Sequence, residues 1–265
     1  ISEDNFDKAR LIIKDAFLML SEFESEYRLI ADMIYYSCSG YLDYKEKNYA
    51  GAESKIKITL ARIDEYFKDD PEMLLLMKAE HSLNLYRIFV ENKDYAKAKV
   101  FARSLTDAIL YFQTTEGFFE VFNINQLNKS IEGYNDFKNN FVEFIFRKWL
   151  FLEKSVREDF VKSIVISKDT GIDILPSNFK IHQSFLIIDS YYSNKSNFLK
   201  LLYNFTSENG FEYIPSALSL LLSECFLHFI RESMPDEFES TLKTTADFLG
   251  KMQVKNRSVI LKQFN

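Results

Sequence analysis

The apolar positions of this chain recur with the period of an α-helix. Between Tyr95 and Phe112 they fall at Tyr95, Ala98, Ala102, Leu105, Ile109 and Phe112, in steps of three and four residues. Such steps put all six side chains on one stripe of a helix. The same ladder occurs twice upstream. Phe6, Ala9, Ile13, Ala16, Leu20 and Phe23 form the first copy, and Tyr49, Ala52, Ile56, Thr59, Ile63 and Tyr66 form the second. Each copy opens on an aromatic with Ala three residues on. Asn5, Asn48 or Asp94 stands directly before the aromatic. The chain therefore contains an internal repeat.

The pattern predicts helices over 4–23, 24–46, 49–68, 71–91 and 95–112. Asp70 is suited to accept the free amides of a first turn, and Pro71 fits the first helical position. The turns are only a few residues long, so consecutive helices must be antiparallel neighbours. The opening aromatics Phe6, Tyr49 and Tyr95 are spaced 43 and then 46 residues apart. A period in this range means stacked helix pairs, because no single pair can cover both of its faces. Phe6 opens the second helix of a pair, which leads one to expect a further helix upstream of Ile1.

Beyond Phe112 the pattern loosens. A helix is expected over 118–128. Tyr134, Phe137, Phe141, Phe144 and Phe151 then form a ladder with Phe in place of Ala. A short helix follows over 156–165. The stretch 167–177 holds Gly171 and Pro176, is the least helical part of the chain, and reads as a hinge. Further helices are expected over 178–192, 195–207, 214–232, 235–249 and 256–264. The one over 214–232 is apolar on nearly every side and should be the most buried of this half.

Composition supports an all-α reading. Only 7 Gly and 4 Pro occur in 265 residues, too few for the turns of a sheet protein, while 26 Phe and 15 Tyr suit thick aromatic seams between helices. The formal net charge of −6 argues against a broad phosphate-binding surface, so no nucleic acid is expected to bind through this segment. The most apolar run, 217–230, is interrupted by Ser223, Glu224 and His228, so no membrane span is expected. Cys38 and Cys225 read as two buried thiols, which suits a cytoplasmic location.

At the repeat turns, Asn48-Tyr49-Ala50-Gly51-Ala52, Asp94-Tyr95-Ala96-Lys97-Ala98 and Asn5-Phe6-Asp7-Lys8-Ala9 resemble the tetratricopeptide repeat family. That family opens its second helix with a turn, a Tyr and a small residue three positions on. Gly40, Leu85 and Phe89 fit its first-helix pattern, whereas Ser39, Asp43 and Tyr86 depart from it. Pro71 comes 22 residues after Tyr49, and the spacing exceeds the family's usual 34 residues. These are extended, divergent repeats. The resemblance implies antiparallel helix pairs stacked as a right-handed superhelix. Residues 1–113 would hold the repeats and 114–166 less regular pairs continuing the array. Residues 178–265 would hold C-terminal helical repeats after the hinge.

Candidate chemistry is sparse. His81, His182 and His228 lie at no spacing that would build a helical metal site, so no metal or other cofactor is expected. Glu224 and His228 are four apart and read as a polar contact on one helix face. No Gly-rich phosphate loop or nucleophile elbow occurs, so the chain is not expected to be an enzyme. A binding surface remains. The resemblance implies a concave wall made of first helices, which would offer Ile34, Ser37, Cys38, Tyr41, Tyr44 and Lys45, then Glu80, Leu83, Asn84, Arg87 and Glu91. Of these, Tyr41, Tyr44, Lys45, Asn84 and Arg87 are the candidate peptide-binding residues. Asn can pin a peptide backbone and Arg can fork onto a carboxylate. The family's carboxylate clamp is not matched, since Ser37 and Tyr41 replace its Lys and Asn. The expected activity is that of a protein- or peptide-binding scaffold. Two alternatives remain open: the sensing part of a larger transcriptional regulator, and a helical enzyme with an unrecognised site.

Overall fold

The computed structural model describes residues 5–111, 134–165 and 179–252, with the single positions 258, 261, 262 and 264. The described residues form eleven α-helices with short 3-10 turns and no strand, so the protein is all-α. Among them, no helix is long and apolar enough to cross a membrane. The chain divides into two compact units, Ile1–Ile131 and Glu132–Asn265.

The first unit holds α1 (Phe6–Met19), α2 (Ser25–Lys45), α3 (Tyr49–Tyr66), α4 (Pro71–Glu91) and α5 (Tyr95–Tyr111). Each helix packs chiefly on its neighbours in the chain. The two turns that open the ladders share one geometry. Lys47 and Lys93 both adopt the left-handed conformation, with φ of 64° and 59°. The Asn48 amide donates to the Asp43 carbonyl (2.8 Å) and the Lys47 amide to that of Tyr44 (3.1 Å). Asp94 and Lys93 repeat this onto Phe89 (2.9 Å) and Val90 (3.1 Å). This is the Schellman ending of a helix, which satisfies its last carbonyls. Asn48 and Asp94 then cap the next helix, accepting from the amides of Gly51 (3.2 Å) and Lys97 (3.3 Å). Asp70 caps α4 in the same way through the Met73 amide (3.1 Å), with Pro71 in the first turn.

The ladders of α3 and α5 form the core. Ala52, Ile56, Thr59 and Ile63 are buried, as are Ala98, Ala102, Leu105 and Ile109. The ladder of α1 differs. Leu20 alone among its six positions is buried, and it lies in a 3-10 turn, Leu20–Glu22, where the helix has already ended. α1 packs chiefly on α2, so Ala16 and Phe23 stay exposed. Buried charges are paired, as burial in low dielectric demands. Asp32 lies 3.3 Å from both Arg28 and Arg62, and Lys78 lies 2.5 Å from Asp64.

The second unit holds α6 (Tyr134–Trp149), α7 (Lys154–Val165), α8 (Phe179–Ser193), α9 (Lys195–Ser207), α10 (Ser216–Ser233) and α11 (Phe238–Lys251). α10 is its centre, packing on α6, α8 and α11 and burying eleven residues, the most of this unit's helices. The expectation for that stretch holds. Pro215 supplies no side-chain cap, and Glu143 of α6 takes its place by accepting from the Ala217 amide (2.7 Å). α6 itself buries Phe141, Val142, Ile145, Phe146 and Trp149; of the expected Phe ladder Phe141 is buried, Phe137 and Phe144 are half-buried, and Phe151 is exposed. Lys138 shares that buried stripe, and burial pulls its ammonium pKa down to about 8.

α6 and α7 belong to this second unit because α6 packs on α10 and α7 on α8. The division thus falls at 131/132, where the sequence grouped 114–166 with the repeats. The expected helix over 118–128, the hinge at 167–177 and most of the helix over 256–264 lie outside the described residues.

Candidate functional site

A cavity of about 400 Å³ opens in the first unit between α1, α2, α3 and α4. Its floor is apolar. Leu42, Ile56 and Ile88 are buried there, with Ile13 of α1 to one side. Small side chains leave the space: Ala9 on α1, and Ser37, Cys38 and Gly40 on α2. Gly40 also lets α2 approach α3 closely. A Cβ at this position would lie 3.1 Å from the Ile56 Cδ1. The Arg10 guanidinium lies 2.8 Å from Glu46 at the end of α2, which ties α1 across the cavity. Lys55 of α3 lies 2.8 Å from Asp43 of α2 and fixes the opposite wall.

The rim is aromatic and cationic. Tyr41 and Tyr44 of α2 stand one turn apart with ring centroids 6.2 Å from each other. The Lys45 ammonium lies over both rings, at 5.2 and 5.9 Å. Arg87 of α4 lies over the Tyr44 ring at 6.0 Å. Such contacts hold a ring and a cation in register. Burial raises the Tyr44 phenol pKa above its ordinary value, the Glu91 carboxylate adds to this, and the Arg87 guanidinium opposes it. The phenol is a neutral donor at physiological pH.

Tyr41, Tyr44, Asn84 and Arg87 therefore line one cavity, and Lys45 stands on its rim through the two tyrosines. Ser37 and Cys38 line it too. Cys38 is exposed, which corrects the reading of two buried thiols; its position on α2 faces the cavity rather than a helix seam. Ile34 lies elsewhere, in an apolar cleft of about 500 Å³ between α1 and α2. Sequence reasoning missed the contribution of α1. The ladder pattern puts Ala9 and Ile13 in a helix seam, whereas in the structure they line the cavity. The coincidence of small residues at Ala9, Ser37, Cys38 and Gly40 is the signal that could have located the space.

No family model, curated protein or solved structure matches this chain.

A further polar cluster lies in the second unit. Glu224 pairs with the buried Arg157 of α7, and His228 lies 3.7 Å from the same carboxylate. The sequence suggested the Glu224–His228 contact and gave no sign of Arg157. Cys225 is fully enclosed beside this pair, and burial pushes its thiol pKa up. Among the described residues no group of three or more His, Cys, Asp or Glu is arranged to hold a metal ion.

Proposed function

We propose that this chain is a peptide- or protein-binding scaffold. In this reading its first unit is an array of extended tetratricopeptide-like helix pairs, wound right-handed, that receives the partner between α2 and α4. The supporting observation is the convergence of two first helices on one cavity. Tyr41 and Arg87 are 46 residues apart, as are Cys38 and Asn84, so each pair occupies equivalent positions of successive repeats. The matching Schellman turns at Lys47 and Lys93 support the same repeat unit, and the neighbour-to-neighbour packing suits an array. An apolar floor beneath an aromatic and cationic rim fits a peptide that inserts one apolar side chain and lays a polar or acidic group on the rim.

The test starts from peptides selected on the immobilised full chain from a random display library. Their affinities are then measured by fluorescence anisotropy. Arg87→Ala removes a charge-assisted contact of about 1.5–3 kcal/mol, so the affinity should fall ten- to more than a hundredfold. Tyr44→Ala should also weaken binding. Lys57→Ala, on the exposed face of α3, should leave it unchanged. A loss with Lys57→Ala and none with Arg87→Ala places the binding surface elsewhere and overturns the groove.

A further inference from the structure

A second cavity, of about 480 Å³, opens in the other unit between α9, α10 and α11. We propose that it is a binding site for a compact, uncharged, largely apolar molecule that carries a hydroxyl or N–H group. This inference is independent of the peptide groove and concerns different helices.

Local sequence shapes the cavity. Asn209 ends α9 in the left-handed conformation, with φ of 54°. Gly210 follows directly beneath the Phe205 ring, where an added Cβ would lie 2.7 Å from three ring carbons. That close approach brings Phe211 back over the helices. Its ring lies 5.5 Å from Phe205 and 5.2 Å from Phe248 of α11, and it closes one end of the space. Leu202, Leu222, Phe226 and Phe248 supply the walls, and Tyr203, 73% exposed, stands at the mouth.

Three features select the ligand. The first is size. The lining runs from Leu199 to Thr206 on α9, from Leu222 to Phe226 on α10 and from Thr244 to Phe248 on α11. At the helical rise these spans are about 10, 6 and 6 Å. A volume in this range suits a small molecule. The second is charge. None of the described lining residues is charged at neutral pH, so an ion entering the cavity would lose its hydration without a partner. The third is the state of the hydroxyls. Ser223 donates to the Ser219 carbonyl (2.8 Å), Thr206 to that of Leu202 (2.8 Å) and Thr244 to that of Ser240 (2.9 Å). Their protons are engaged within their own helices, and their remaining lone pairs accept. An alcohol, phenol or indole matches these three oxygens, because its O–H or N–H can donate to them.

The probe is 2-naphthol, titrated into the full chain at pH 7 by calorimetry, with naphthalene-2-carboxylate and naphthalene as comparisons. We expect saturable one-site binding of 2-naphthol, binding of the carboxylate at least tenfold weaker, and binding of naphthalene several-fold weaker. Thr244→Trp fills the mouth and should abolish binding. Tyr203→Ala should weaken it several-fold, and Lys200→Ala, on the same helix but outside the lining, should leave it unchanged. If Thr244→Trp fails to fold, as judged by its melting curve, Tyr203→Ala at its exposed position decides. The proposal is overturned by no binding of 2-naphthol, by equal affinity for the carboxylate, or by full binding to folded Thr244→Trp. Equal affinity for naphthalene removes the donor requirement. A dimer of the wild-type chain that Thr244→Trp dissociates assigns the cavity to a second copy instead.

Discussion

Single residues in this protein are constrained most where a polar group is buried. His81 shows this best. It sits inside the first unit with its Nδ1 buried and without a hydrogen-bond partner. Burial lowers its pKa below the usual 6.5, and the neighbouring Glu80 carboxylate opposes this only in part. The sign of the linkage follows. Above about pH 6.5 the imidazole is neutral in both folded and unfolded chains, and it adds no pH dependence. Below that value the unfolded chain takes up a proton that the folded chain refuses, so stability falls as pH falls toward the lowered folded pKa. The slope approaches about 1.4 kcal/mol per pH unit in that window. We expect His81→Leu to lose less stability than wild type between pH 7.5 and pH 5 in urea unfolding. Equal losses for the two proteins would show that His81 is protonated while folded. Nothing in the pattern around His81 reveals this environment. The residue is polar, and the helix that carries it buries eleven side chains around most of its circumference.

At the scale of the element, the repeat is written into turns as much as into ladders. The ladders and the residues before Tyr49 and Tyr95 were legible because helical spacing and capping act over three or four residues. The left-handed Lys47 and Lys93 were not, since Lys carries no preference for that conformation and Gly is the usual residue there. Lys93→Gly should therefore relieve backbone strain and stabilise the protein by about 1 kcal/mol. Ala61→Gly, in the middle of α3, should do the reverse and cost about 1 kcal/mol. Thermal melts of the two variants should move in opposite directions, and a lower melting point for Lys93→Gly would show that its side chain matters more than its φ. The same locality explains the candidate site. Tyr41, Tyr44, Asn84 and Arg87 could be singled out from their positions on α2 and α4, and they line one cavity. The floor could not, because Leu42, Ile56 and Ile88 come to it from three different helices and look like ordinary core positions along the chain.

At the scale of the molecule, contacts divide a chain whose sequence reads as a nearly continuous run of helices. The helical character of both halves was legible from the period alone. The division at 131/132 was not, because it depends on α6 and α7 meeting α10 and α8 across tens of residues. Two cores should give two unfolding reporters. Trp149 is the sole tryptophan of the chain, and it is buried in the second unit against Phe146 (4.5 Å) and Phe160 (5.1 Å). Its fluorescence follows that core, while far-ultraviolet circular dichroism follows the helices of both. Ala98 lies in the first core with no exposed surface. Ala98→Leu overpacks that core and should cost the first unit about 1–3 kcal/mol. In urea we expect the dichroism curve of this variant to gain an early phase while the Trp149 midpoint stays where it is in wild type. Lys97→Leu, one residue away and half-exposed, should change neither curve by a comparable amount. A Trp149 midpoint that falls in step with the dichroism of Ala98→Leu would mean that the two cores unfold as a single cooperative unit.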